Sequence, residues 1–145
     1  MKKTLLYRWF GIGSIPKKVR PVLQAEGVVV ADEGMAGRFI ANDVKGPGKR
    51  YRQRSEGFSG CLVITKKRVI AYTFGKRQLN IGVNDPKLPE IFADVPDAET
   101  LVISFESSVF REGWQGVMAF KFKTGKASQF METLKDIGVR QGSRL

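Results

Sequence analysis

Apolar and polar residues alternate with a period of two in several segments of this chain, most cleanly in its second half, and near its end the pattern changes to a helical period. Met118, Phe120 and Phe122 alternate with Lys121 and Lys123, and Leu101, Ile103 and Phe105 share one face of Thr100–Glu106. Such alternation is what a half-buried strand requires, because successive side chains point to opposite faces. Ala127, Phe130, Met131, Leu134 and Ile137 then follow the i, i+3, i+4, i+7 spacing of an amphipathic helix. Thr124 is the candidate N-cap, and Gly138 is placed to stop the helix in a left-handed conformation. A mainly β (α+β) domain closed by one C-terminal helix is the expectation.

The remaining elements follow from the same rules. Ser14–Gly27 reads as a short helical segment started near Pro16 and broken or kinked by Pro21. Val28–Asp32 is a β-branched run, Glu33–Gly37 a tight connection and Arg38–Val44 a second strand. Phe58–Thr65 and Arg68–Phe74 form the clearest hairpin, turning at Lys66-Lys67, and Gln78–Val83 follows as a fifth strand. Asn84–Thr100, with three prolines and five acids, reads as a loop. Counting Thr100–Glu106 and Gly116–Lys123, seven strands precede the helix. The expected division is an N-terminal extension (1–26), one domain (27–138) and a loose tail (139–145).

Composition narrows the chemistry. The chain has 145 residues, of which 42% are hydrophobic and 27% charged, enough for one domain with a real core. It contains no histidine, which removes His-based nucleophile pairs, general bases and metal ligands. Its one cysteine, Cys61, lies in an apolar run and excludes both an internal disulfide and a cysteine-rich zinc site. The acids are scattered without a catalytic spacing. No enzyme activity, metal or cofactor is expected, and a reducing, cytoplasmic setting is the simplest one. The first residues, MKKTLLYRWF, are interrupted by Arg8 and lack the small-residue site of a cleaved signal peptide. Trp9 and Phe10 there are candidate interfacial anchors, or an apolar strap on the domain.

The net charge of +11 is unevenly placed: residues 1–80 hold 17 Lys+Arg against 5 Asp+Glu, and residues 81–145 hold 8 against 9. The densest part is KGPGKRYRQR, where Lys45, Lys49, Arg50, Arg52 and Arg54 surround Gly-Pro-Gly without an acid. This stretch reads as a long basic loop between two strands. With Lys66, Lys67 and Arg68 it forms the candidate anion-binding surface, and Trp114 is a further candidate anchor. The partners implied are an anionic lipid surface or an acidic protein, with nucleic acid as the alternative, Tyr51 then stacking on a base. A purely structural alternative has the cations guarding a sheet edge against pairing.

Seven short strands and a C-terminal helix resemble the pleckstrin-homology (PH) superfold. The stretch from Leu62 to Tyr72, LVITKKRVIAY, is similar to the hairpin of GRAM and bacterial PH-like domains. The resemblance implies a seven-stranded sandwich or partly open barrel whose corner is plugged by Phe130, Met131 and Leu134. It also implies a non-enzymatic binding module with a lipid pocket framed by the loops after strands one, three and six. On the strand count above, the first of these loops is Glu33–Gly37 and carries no cation, the second holds Lys66, Lys67 and Arg68, and the third holds Arg111 and Trp114. The basic loop then follows strand two, outside the pocket, so a delocalised surface contact is expected. The resemblance further offers a peptide groove between the fifth strand, Gln78–Val83, and the C-terminal helix.

Overall fold

The computed structural model describes residues 3–145, with the backbone alone at Tyr51. Two short helices, α1 (Leu5–Phe10) and α2 (Arg20–Glu26), precede a long hairpin of β1 (Val28–Gly46) and β2 (Lys49–Thr65). The chain continues through β3 (Arg68–Thr73), β4 (Lys76–Gly82), β5 (Ile91–Asp97), β6 (Thr100–Glu106) and β7 (Gln115–Lys123). It ends with α3 (Ala127–Asp136) and the two-residue β8 (Arg140–Gln141). All strands join one sheet in the order β4-β3-β2-β1-β7-β6-β5-β8. The protein is mainly β, with 51% of residues in strands, and the sheet curls into a half barrel.

The concave side holds the main core. Phe58, Leu62, Ile64, Leu79, Ile81, Leu101, Ile103, Phe120 and Phe122 meet there. Four residues of α3 close the cluster: Ala127, Phe130, Met131 and Leu134 are all buried, Phe130 fully. Each large apolar side chain removed from water in this way contributes about 1.5–3 kcal/mol. Gly138 takes φ +108° just beyond the helix. The N-terminal cap lies two residues later than expected: Lys126 holds the cap position, and the Thr124 hydroxyl accepts from the Lys126 N–H while donating to Asp32.

A second, smaller cluster covers the convex face. Leu23 of α2 packs on Cys61, Val63, Ile70 and Tyr72, with Ile15 and Val19 alongside. Burial pushes the Cys61 thiol up to about 12. Pro21 starts α2 instead of breaking it, since its missing N–H costs nothing in a first turn.

The sheet has eight strands where seven were expected, and four assignments change. Val28–Asp32 and Arg38–Val44 are one strand, and Glu33–Gly37 is an irregularity within it: the pairing with β2 shifts between Asp32 and Met35. Asn84–Thr100 is not a loop throughout, because Ile91–Asp97 pairs with β6 as β5. The tail is tied down, since Arg140-Gln141 pairs in parallel with β5. Lastly, Lys45–Arg54 is the far end of the β1–β2 hairpin. Only Pro47-Gly48 forms its turn, with Gly48 at φ +72° after a proline, the pattern of a type II turn.

Carboxylates at the β1 irregularity fasten the N-terminal segment. Glu33 accepts from the Tyr7 hydroxyl (3.0 Å), the Ile15 N–H (2.9 Å) and Arg20 (2.9 Å). Asp32 accepts from Lys3 (2.5 Å) and Thr124 (2.7 Å). Burial works against ionisation of both, but these donors outweigh it and hold both carboxyls below the usual range. Thr4 hydrogen bonds Ser59, and a Cβ at Gly13 would overlap Ser59 and Gly60, so the segment lies directly on β2.

Candidate functional site

The β1–β2 hairpin is longer than the strands beside it, and this difference makes the site. Its pairing keeps one register from Met35↔Gly60 out to Gly46↔Lys49. On the other side of β2, pairing with β3 covers Gly60–Ile64 only, with one further bond from the Phe74 N–H to Ser59. From Lys49 to Gly57, the only strand paired with β2 among the described residues is β1. All of these residues with described side chains are exposed.

A cavity of about 560 Å³ opens between this extension and the loops around it. Phe39, Ala41, Phe58, Met118 and Phe120 form its apolar floor. Phe39 and Phe120 meet with tilted rings, their centroids 5.1 Å apart, and Phe58 meets Phe120 at 6.4 Å. Its rim carries Lys49 and Arg54 from β2, Lys76 from β4 and Arg111 from the β6–β7 connection. Glu56 is the one carboxylate in the lining, and Arg54 grips it with two nitrogens (2.9 and 2.6 Å). Four cations against one bound carboxylate leave the mouth positive.

Two aromatic residues shape the rim. Trp114 lies against Gly46, where a Cβ would overlap its ring, and Arg111 stacks on it at 5.1 Å. Trp114 thus braces the hairpin. Phe74 occupies the first position of the β3–β4 turn at φ +49°, followed by Gly75 at +77°. Two positive φ values mark a type I′ turn, which normally takes Asn or Gly at that first position. A phenylalanine there is strained, and it is about half exposed on the pocket wall.

The expected surface residues divide into two groups. Lys45, Lys49, Arg50, Arg52 and Arg54 stand on the hairpin at the pocket end. Their expected place after strand two is corrected: they belong to the connection between the first two strands, beside Arg111 and Lys76. Lys66, Lys67 and Arg68 lie at the other end of β2, joined to β3. Arg68 is also engaged: it pairs with Glu26, whose carboxylate further accepts from Thr65 (2.9 Å). These hydrogen bonds overcome the burial of Glu26 and keep its carboxyl below the usual range. Stacking by Tyr51 falls outside the described side chains. Trp9 and Phe10 do not strap the domain, since α1 docks through Thr4 and Tyr7 and leaves them about three-quarters exposed.

Lys76, Phe74 and the aromatic floor were not singled out from the sequence. The two consecutive positions Phe74-Gly75 were a signal for a two-residue turn, but a Phe conceals it. Among the described residues, no group of three or more His, Cys, Asp or Glu is placed to hold a metal ion, and no helix is long and apolar enough to cross a membrane. Compared with known protein families, curated proteins and solved structures, the chain matches none.

Proposed function

We propose that this protein is a non-enzymatic, PH-like interaction module that engages a polyanionic partner through the open end of its half barrel. The observation that carries this reading is the convergence at one pocket of cations from the β1–β2 hairpin, β4 and the β6–β7 connection. The strand order, with β1 shared between β2 and β7 and a helix closing the core, supports the PH-like architecture. In such an architecture the loops after strands one, three and six frame the ligand. Here those connections are Pro47-Gly48, Phe74-Gly75 and the segment holding Arg111 and Trp114. A reducing, cytoplasmic setting accords with the buried thiol of Cys61.

Lys49, Arg50 and Arg52 are exposed and form no ion pair among the described residues. Near an anionic leaflet each such charge contributes about 1 kcal/mol, and the sum falls steeply with salt. An acidic polypeptide or a nucleic acid offers the same complement. A membrane reading has one further support: α1 presents Leu5, Trp9 and Phe10 to solvent with Arg8 between them.

The test compares vesicles containing acidic lipid, poly-glutamate and a short single-stranded DNA, each at low and physiological salt. At least one is expected to bind, and to lose most of its affinity when Lys49, Arg50 and Arg52 are together replaced by Ala. Binding that is indifferent to both salt and this triple substitution would sink the reading. Retention of vesicle binding by the triple variant, with loss on Trp9→Ala, would move the contact to α1.

A further inference from the structure

The nine residues of β2 beyond its pairing with β3 are an open sheet edge, and that edge is one wall of the pocket. Alternate peptide groups from Lys49 to Gly57 face β1, and the others face outward. Nine residues of strand span roughly 30 Å. Arg54, Glu56 and Phe58 share the concave face that lines the cavity. A strand laid beside β2 would therefore project every second side chain toward the same cavity.

We propose that this edge takes up an extended acidic segment of a partner protein as an added strand, with apolar side chains of that segment entering the pocket. The proposal rests on the polyanion reading above and names the partner within it. Three observations converge. At alternate positions the edge turns backbone groups outward with no strand beside them among the described residues, and strand addition obtains its affinity from such groups. The exposed cations Lys49, Arg50 and Arg52 select acidic side chains on the incoming strand. The floor of Phe39, Phe58 and Phe120, with the strained Phe74 also in the lining, gives an apolar side chain somewhere to go.

Other occupants use less of this arrangement. A lipid surface satisfies the cations but leaves the edge peptides and the aromatic floor without partners. A second copy of the chain, paired through the same edge, sets arginines against arginines, and like charges across a ladder repel. The same charges that deter self-association thus favour an acidic strand.

The experiment uses the full chain and a capped heptapeptide alternating glutamate and leucine, measured by titration calorimetry. Its control is the same peptide with every interior amide N-methylated, which keeps charge and apolar content but removes the donors on both edges. The parent peptide is expected to bind at least tenfold more tightly than the methylated copy, and Arg52→Glu is expected to weaken it. Equal binding of the two peptides would overturn strand addition while leaving the polyanion reading intact. So would binding to acidic vesicles or poly-glutamate with no binding to the heptapeptide. Failure of every polyanion would remove both. A dimer in sedimentation that Arg52→Glu strengthens, by relieving the repulsion across the edge, would assign the edge to a second copy and overturn the proposal.

Discussion

β2 is one strand with two opposite halves. From Phe58 to Thr65 every residue is buried. Strands flank this half on both sides, the main core lies under Leu62 and Ile64, and α2 covers Cys61 and Val63. From Lys49 to Gly57 the same strand has one neighbour and exposed side chains. The buried half holds the fold together, whereas the exposed half is a strand only because β1 runs beside it. What separates the halves is the length of β3, which ends at Thr73. A short neighbour thus converts the end of a central strand into an edge.

Substitutions should therefore differ sharply along β2. Leu62 is fully buried, and Leu62→Ala should cost about 2–5 kcal/mol in chemical denaturation. Leu134→Asp, which places a charge under the same core, should leave no cooperative unfolding transition at all. On the exposed half, Gln53→Ala should stay within about 0.5 kcal/mol. Comparable losses in Leu62→Ala and Gln53→Ala would erase the distinction between the halves.

Acid should act next, on the buried half alone, because the carboxylates of Asp32 and Glu33 fasten its outer cover. Their folded pKa values lie below the unfolded ones, so their stabilisation is complete above about pH 4.3. It is lost as pH falls through the lower, folded values, because protonation then favours the unfolded chain. Melting temperature should accordingly drop in acid. Glu33→Gln should flatten part of that drop and cost about 1–3 kcal/mol at neutral pH through its charged hydrogen bonds. An unchanged acid profile in Glu33→Gln would mean that other carboxylates govern it.

The smallest effect should come from the turn that faces the open half. Phe74→Asn relieves a positive-φ aromatic and should raise stability by about 1 kcal/mol. The same change should weaken binding of the glutamate-leucine peptide, since it removes an apolar wall. A gain in stability with undiminished binding would assign Phe74 no part in the site.

The two halves also differ in how plainly the sequence announces them. Burial on a single face or on both leaves a record, so Phe58–Thr65, Thr100–Glu106 and Gly116–Lys123 are readable as strands, and α3 as a helix. A strand end in solvent on both faces leaves none. Lys49–Gly57 has no apolar member to alternate with, apart from Tyr51, and its cations and polar residues read as loop. Glu33–Gly37 misleads for a related reason: acids beside glycine suggest a turn, and here Asp32 anchors Lys3 while Glu33 anchors Tyr7, Ile15 and Arg20. Splitting β1 in two and overlooking β5 left the number of strands before the helix unchanged at seven, while displacing the basic segment by one connection. The candidate site follows from the correct connectivity, because only then do Lys49, Lys76 and Arg111 meet around one pocket.

Amide hydrogen exchange along β2, with and without the glutamate-leucine peptide, tests the open edge most directly. In the free protein, the outward-facing amides of Lys49–Gly57 should exchange rapidly while those of Phe58–Thr65 stay protected. Saturating peptide should slow exchange in the first stretch and leave the second unchanged. Protection of Lys49–Gly57 already in the free protein, or no change there on saturation, would contradict an open edge that receives a strand.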